Sequence, residues 1–267
     1  MPGLLTLPSF ALRRAQHDFG RALERVASGQ RIVRAADDPA GLAVSENLDA
    51  RARSAVVVQR NLNDGLSLLH TVDGSASEVA NILKRLRELA VQSASETLHD
   101  DERAYLDAEA QELLEEVDRI ANTTSLFGQR LTDGSLPTVD VQAGVDQGDT
   151  ITLVPGDLRN ATLGTAALDL SSVAGAGAAL GTLDAALDTV NGQRAVVGAS
   201  MRRLEGALRL AQNDHLASTA AAGRIRDADL AHEAAEMARD QLLVQTGTMA
   251  MRQLHAANRA YMEALLG

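Results

Sequence analysis

Apolar residues along this chain recur by alternating steps of three and four. The longest such series is Leu180, Leu183, Leu187, Val190, Arg194, Val197, Met201, Leu204, Leu208, Ala211, His215, Ser218 and Ala222, broken only by Arg194, His215 and Ser218. That is the 3.5-residue period of a coiled-coil seam, sustained for about six heptads. A shorter series, Leu12, Ala15, Phe19, Ala22 and Val26, predicts a helix ending near Ser28-Gly29. Pro2 and Pro8 are expected to keep the first eight residues out of it. A third series, from Leu62 through Leu69, Val79 and Leu86 to Ala90, lies in a helical pattern from Pro39 to Leu98. At 1.5 Å per residue such a helix would run roughly 90 Å. Gly65 and Gly74 inside it point to close approach by another backbone.

Leu106, Ala110, Leu113, Val117 and Ile120 predict a further helix, with a break from Asn122 to Gly134 and an antiparallel helical hairpin as the result. Alternation appears only at 138–142 and 150–153, which predicts one β-hairpin. The Ala/Gly/Ser/Thr stretch from Ala161 to Gly181 reads as a linker. Beyond Gly223, a last helix from Asp227 or Asp229 to Leu266 carries apolar residues all round, including Met237, Leu242, Met251, Leu254 and Leu265. A helix apolar on every side expects burial on more than one side. The expected fold is mainly α: a long antiparallel bundle or coiled-coil rod with one small β-hairpin, its N- and C-terminal helices paired as a coiled coil.

Composition supports helices packed side by side. Aromatics are 2% of 267 residues, with no Trp, so aromatic anchoring of a globular core is not available. The net charge of −11 argues against a nucleic-acid partner, whose phosphates need Lys and Arg. Residues 1–30 nevertheless carry four Arg against two acids. There is no Cys, which removes disulfides and thiolate chemistry. No apolar run is long enough to span a membrane, and no cleavable signal peptide is evident at Met1–Phe10.

Candidate chemistry thins out on inspection. Asp37-Asp38-Pro39 is read as a helix N-cap in preference to a metal site. His99-Asp100-Asp101-Glu102 is read as acids favoured at a helix start. Asp140, Asp146 and Asp149 lack EF-hand spacing, and Gly175-Ala176-Gly177 follows no strand. The six histidines form no HExxH pair, and His215 sits in the seam. No catalytic, cofactor-binding or metal residue is expected.

Several segments then resemble one family. Glu24–Leu48 (ERVASGQRIVRAADDPAGLAVSENL), Asn61–Leu69 (NLNDGLSLL), Arg85–Ala94 (RLRELAVQSA), Arg224–Ala231 (RIRDADLA) and Gln245-Thr246-Gly247 match, in order, the signatures of bacterial flagellins. The resemblance covers about 1–155 and 180–267. It implies an inner-tube coiled coil from 1–38 and 224–267, a core of rod helices and hairpin at 39–155, and a C-terminal rod helix at 180–223. The Ala/Gly-rich stretch 156–179 stands where variable outer domains are normally inserted, so the resemblance implies a thin, smooth filament. It further implies a homopolymer whose ends order on assembly, with Leu12, Phe19, Val26, Met237, Leu242, Met251, Leu254 and Leu265 on the polymerisation helices.

The implied partners are the flagellar type III export apparatus, a flagellar secretion chaperone at the C-terminal helix, and the hook-associated junction and cap proteins. By position, Arg85, Leu89 and Glu109 match the surface through which a vertebrate Toll-like receptor detects many flagellins; these residues also suit packing against neighbouring subunits. The implied location is the extracellular flagellar filament, with no membrane or nucleic-acid partner. Departures are the opening Leu4-Leu5-Thr6-Leu7-Pro8, Phe127 where an Asn customarily precedes Gly128, and a single lysine, Lys84. A hook–filament junction protein or minor flagellin is the nearest alternative, and a cytoplasmic coiled-coil adaptor a more distant one.

Overall fold

A computed structural model describes the backbone of residues 6–266, and the side chains of 9–260, 262 and 263. The element order is α1 (Thr6–Ser28), α2 (Pro39–Ser93), α3 (Asp100–Thr123), β1 (Ser125–Leu126), β2 (Gln129–Arg130), β3 (Val139–Gln142), β4 (Thr150–Leu153), α4 (Asn160–Leu163), α5 (Val173–Arg226) and α6 (Leu230–Leu266). Two compact units form: residues 1–52 with 216–267, and residues 53–215.

In the unit 53–215, α2 and α5 pack antiparallel. Their cross-links step in opposite directions along the two helices: Arg87–Asp184 at 2.6 Å, Asp73–Arg194 at 2.9 Å, and the Gln59 amide to the Ala211 carbonyl at 3.3 Å. The long seam is confirmed with one refinement. Leu183, Val190, Val197, Leu204 and Ala211, spaced by seven, are buried, whereas Leu180, Leu187, Met201 and Leu208 between them are only partly covered. One core cluster joins α2 (Ala76–Ala90), α3 (Ala110–Ala121) and the start of α5 (Ala176–Val190). A second joins α2 (Val58–Val72), α5 (Val197–Ala211) and the hairpin residues Val141, Ile151 and Leu153.

The β3–β4 hairpin lies where alternation predicts it, in the register Val139↔Leu153 and Val141↔Ile151. Gly65 suits the close packing there, since a Cβ would stand 3.2 Å from Val141 Cγ2 and 3.4 Å from Leu204 Cδ1. Gly74 has no neighbour that a Cβ would meet, so close approach explains only one of the two.

Four expectations are corrected. Helix α1 is already formed at Thr6 and includes Pro8, so Pro8 does not hold the described residues before it out of the helix. Helix α2 stops at Ser93, five residues short of Leu98. Buried Arg103 ends it, donating from Nε to the Ser93 carbonyl at 3.0 Å and from Nη2 to the Ser95 carbonyl at 2.8 Å. A cation suits those orphan carbonyls.

A second ribbon, β1–β2, follows α3, with Ser125↔Arg130 and Leu126↔Gln129 paired across Phe127-Gly128. Both loop residues have positive φ, 53° and 78°, as a two-residue type I′ turn requires. Strands of two residues are too short for alternation to reveal.

The stretch 156–179 is not a free linker. Leu158, Leu163, Leu168 and Leu170 are buried in the first cluster, and α5 already starts at Val173. Polar side chains of α3 and its neighbours hold the strap: Asn160 Nδ2 donates to the Leu114 carbonyl (2.6 Å), Gln111 Nε2 to the Leu168 carbonyl (3.0 Å), and the Leu170 N–H to Asp107 Oδ1 (2.8 Å). The misreading came from counting Ala and Gly as loop formers. Ala176 and Ala179 are buried helix residues that let α5 pack closely.

Asp157 pins the entry to this strap. Its carboxylate accepts Arg159 Nη2 at 2.7 Å, Arg159 Nε at 3.0 Å and Thr162 Oγ1 at 2.6 Å. The Arg159 hydrogen bond is the main reason its pKa falls from 3.8 to about 2, burial opposing. Because the folded pKa is depressed, the stabilisation is present above the unfolded value and is lost as pH falls from about 4 toward about 2. Asp157 is expected to account for a loss of about 2 kcal/mol across that window, and Asp157→Asn to remove that part of the pH dependence, read by urea unfolding at each pH.

The β1–β2 turn gives a second expectation. Left-handed backbone costs a residue with a Cβ about 1–2 kcal/mol. Phe127 is 71% exposed, so little packing opposes its replacement. Phe127→Asn is expected to raise stability by about 1 kcal/mol in the same assay; no gain would mean that the ring stabilises the turn.

Candidate functional site

The unit made of 1–52 and 216–267 brings the chain's two ends together. Its corner is built by the α1–α2 connection and the α5–α6 connection. The Arg31 N–H donates to the Arg226 carbonyl at 2.7 Å, the Ala228 N–H to the Gly29 carbonyl at 3.0 Å, and Arg31 Nη2 to the Ile225 carbonyl at 2.7 Å. Ile32 is buried beneath them. Arg226 reaches Glu46 at 3.1 Å and Asp49 at 3.3 Å on α2.

Each turn of this corner has its own local cause. Asp38 caps α2, its Oδ1 accepting the Gly41 N–H at 2.9 Å, as the sequence predicts. A Cβ at Gly41 would collide with Asp38 Oδ2, so the cap requires glycine there. Asp37 does different work: Oδ2 accepts the Arg34 N–H at 2.9 Å, and Oδ1 meets Arg21 at 2.8 Å. The backbone hydrogen bond from Arg34 is the leading cause of its lowered pKa. Helix α5 runs through Gly223 to Arg226, beyond the break expected there. Asp229 then caps α6, accepting the Ala231 N–H at 3.0 Å.

From the corner, α1 and α6 pack antiparallel. The stripe of α6 facing α1 contains Glu233, Asp240, Gly247 and Leu254, spaced by seven. Arg25 Nε lies 3.0 Å from Glu233 Oε2, and both atoms are buried with no better-directed partner, so the contact is an ion pair rather than a hydrogen bond. Leu12 packs onto Gly247, where an added Cβ would stand 3.1 Å from Leu12 Cδ1.

Most of the expected polymerisation residues serve this intrachain seam. Leu12, Phe19, Val26, Met237, Met251 and Leu254 are half-buried. Leu242 is 61% exposed, and the Leu265 side chain lies outside the described residues. The outward surface is formed instead by Phe10, Leu23, Leu230, Leu243, Met249 and Met262 with Leu242, all large and exposed. Their signal was the all-round apolar character of the last helix, which did not say which residues faced inward.

The second candidate surface lies on α2 and α3. Arg85 Nη2 meets Glu109 Oε1 at 2.7 Å and Arg85 Nη1 meets Glu88 Oε2 at 3.2 Å. The Glu109 hydrogen bond is the largest cause of the raised Arg85 pKa. Leu89 does not share this surface. It is 1% exposed and belongs to the α2–α3–α5 core, so it is not on the surface that Arg85 and Glu109 present. The i, i+3, i+4 spacing of Arg85, Glu88 and Leu89 places them near one another, but the core stripe passes through Leu86, Leu89 and Ala90.

Paired end helices, an antiparallel helical core, and large apolar side chains left outward on the pair define a self-assembling structural protein. Comparison with known proteins makes this specific. Residues 9–136 match the bacterial flagellin N-terminal helical region, and residues 180–261 the bacterial flagellin C-terminal helical region. A flagellin of Halalkalibacterium halodurans is 38% identical over 92% of this chain and 91% of its own. The flagellar filament 30.7 kDa core protein of Treponema maltophilum is 35% identical over 86% of each. The crystal structure of Bacillus cereus flagellin is 34% identical with a TM-score of 0.53, covering 57% of this chain and 88% of that one.

The chain belongs to the bacterial flagellin family. It is a structural, non-enzymatic subunit of the extracellular flagellar filament. No described helix is long and apolar enough to cross a membrane. Between β4 and α5 stands only the packed strap, with no large variable domain.

The buried Arg25–Glu233 pair carries a test of the α1–α6 seam. Removing one partner of a buried pair leaves the other charge uncompensated. Arg25→Met is expected to lower protection of 230–245 in hydrogen exchange, and Glu233→Met added to it to restore protection. Equal loss in the single and double variants would show that the pair is not coupled.

Proposed function

We propose that the α1–α6 pair is the polymerising element of this flagellin, and that the chain builds a thin filament without outer domains. The division into inner-tube segments 1–38 and 224–267, core segments 39–155 and 180–223, and the short stretch 156–179 belongs to the same proposal. The observation that supports it is that α6 keeps Leu230, Leu242, Leu243, Met249 and Met262 exposed, with Leu242 and Met249 on the side away from the stripe of Glu233, Asp240, Gly247 and Leu254. Burying a side chain of this kind yields about 1.5–3 kcal/mol. Neighbouring copies offer that burial in an open helical assembly.

The same exposed face is a reason for a secretion chaperone to cover α6 before export through the flagellar type III apparatus. Hook-associated junction and cap proteins would meet the filament's two ends. At the other surface, Arg85 and Glu109 form the accessible part of the region through which the vertebrate Toll-like receptor would recognise the monomer. The same residues sit where neighbouring subunits would pack.

Purified chain is expected to form long filaments under negative stain after addition of a salting-out agent. A chain lacking 230–267 is expected to stay soluble and helical and to form none. Continued polymerisation of the truncated chain would overturn the assignment to α6; short caps from the intact chain would favour a junctional role.

A further inference from the structure

Charge is segregated along the α1–α6 pair. Residues 241–262 of α6 contain Arg252 and Arg259 and no acid, and residues 6–17 of α1 contain Arg13 and Arg14 and no acid. Arg252 and Arg259 are exposed, seven residues apart on one face, and neither has an ion-pair partner among the described residues. Toward the corner the same helices carry Asp18, Glu24, Glu233, Glu236 and Asp240, interleaved with Arg21, Arg25 and Arg239.

Those acids mostly sit in close ion pairs within the chain, although Glu233 Oε2 is buried without a hydrogen bond. Glu24 meets Arg34 at 2.6 Å, Glu233 meets Arg25 at 3.0 Å, and Glu236 meets Arg239 at 3.3 Å. Asp18 is half open and lies 3.7 Å from Arg14. Asp240 is the exception. The residue is only 6% exposed, yet its one ion pair among the described residues is the adjacent Arg239, at 3.7 Å. A carboxylate so shielded from water gains from a directed cation and lacks one.

Asp240 borders a groove of about 570 Å³ between the two helices. Leu12, Ala15, Leu243 and Gly247 supply its apolar lining, and Arg14, Asp18 and Arg239 join Asp240 as its charged groups. An arginine combines a methylene stem suited to such a lining with a guanidinium suited to the carboxylate.

We propose that this groove receives the Arg252–Arg259 face of α6 from a second copy of the chain, with a guanidinium paired to Asp240. The proposal rests on the subunit polymerising and names the contact that sets the direction of growth. The surface given differs from the surface received, so the contact is heterologous and can repeat head to tail, the kind of contact from which an open helical filament is built. Two basic ends repel, which disfavours the symmetric dimer that would terminate growth.

The test uses the full chain, sonicated wild-type filaments as seeds, and low ionic strength. Asp240→Arg alone and the double variant Arg252→Asp/Arg259→Asp alone are each expected to need about tenfold more subunit for elongation than wild type. Their equimolar mixture is expected to elongate near the wild-type concentration, because each supplies the charge that the other's groove or face now requires. Asp240→Asn is expected to give a smaller rise and a weaker dependence on salt. Unchanged elongation by either charge-reversed variant, or a mixture no better than its components, would overturn the contact. Failure of wild-type chain to extend its own seeds would instead overturn the polymerisation reading.

Discussion

Two carbonyls, those of Gly29 and Arg226, hold the terminal unit together. They accept the Ala228 and Arg31 N–H groups across 194 residues of chain between Arg31 and Ile225. Closing so long a loop is entropically unfavourable, though the cost grows only slowly with length. Part of that cost is met in the other unit, where the antiparallel contact between Gln59 and Ala211 already draws its two ends together. What remains for the corner is to fix direction. Caps at Asp38 and Asp229 start α2 and α6, and buried Ile32 fills the space between the two connections. The flagellin-like segments Glu24–Leu48 and Arg224–Ala231 are the two halves of this corner.

Aromatic residues take almost no part in folding. Phe10, Tyr105 and Phe127 are 66%, 77% and 71% exposed, and Phe19 is half-buried. The clusters of 53–215 are made of Leu, Val, Ile and Ala throughout. Long helices in side-by-side contact favour this division, because small and aliphatic residues interdigitate every seventh position whereas a ring would force the axes apart.

What was legible in the sequence was whatever repeats. The seam of α5, the β3–β4 hairpin, the cap before α2, and the acids opening α3 follow from periodicity or from one-residue chemistry. What was not legible depends on partners distant in sequence. Leu168 and Leu170 read as linker residues because nothing local shows that Gln111 and Asp107 of α3 will fasten their backbone. Leu89 looks like surface beside Arg85 until the core stripe of α2 is fixed by α3 and α5. The β1–β2 ribbon is a matter of two φ angles at Phe127 and Gly128, and a phenylalanine is a poor advertisement for one of them.

The α6 seam explains why the terminal pair looks to other copies. Where a self-sufficient coiled coil would place Leu or Ile every seventh residue, α6 places Glu233, Asp240 and Gly247 before reaching Leu254. Two of these are acids needing cations, and the third is a glycine that weakens the helix by about 1 kcal/mol relative to alanine. Its larger apolar residues Leu242 and Met249 stay exposed, and Leu243 is left half-open at the edge of the groove beside α1. A pair built this way is marginal alone, since isolated helices owe most of their stability to tertiary packing. The residues withheld from the seam are those that neighbouring copies would bury, so weakness within one chain and stability in the assembly are the same feature of the sequence.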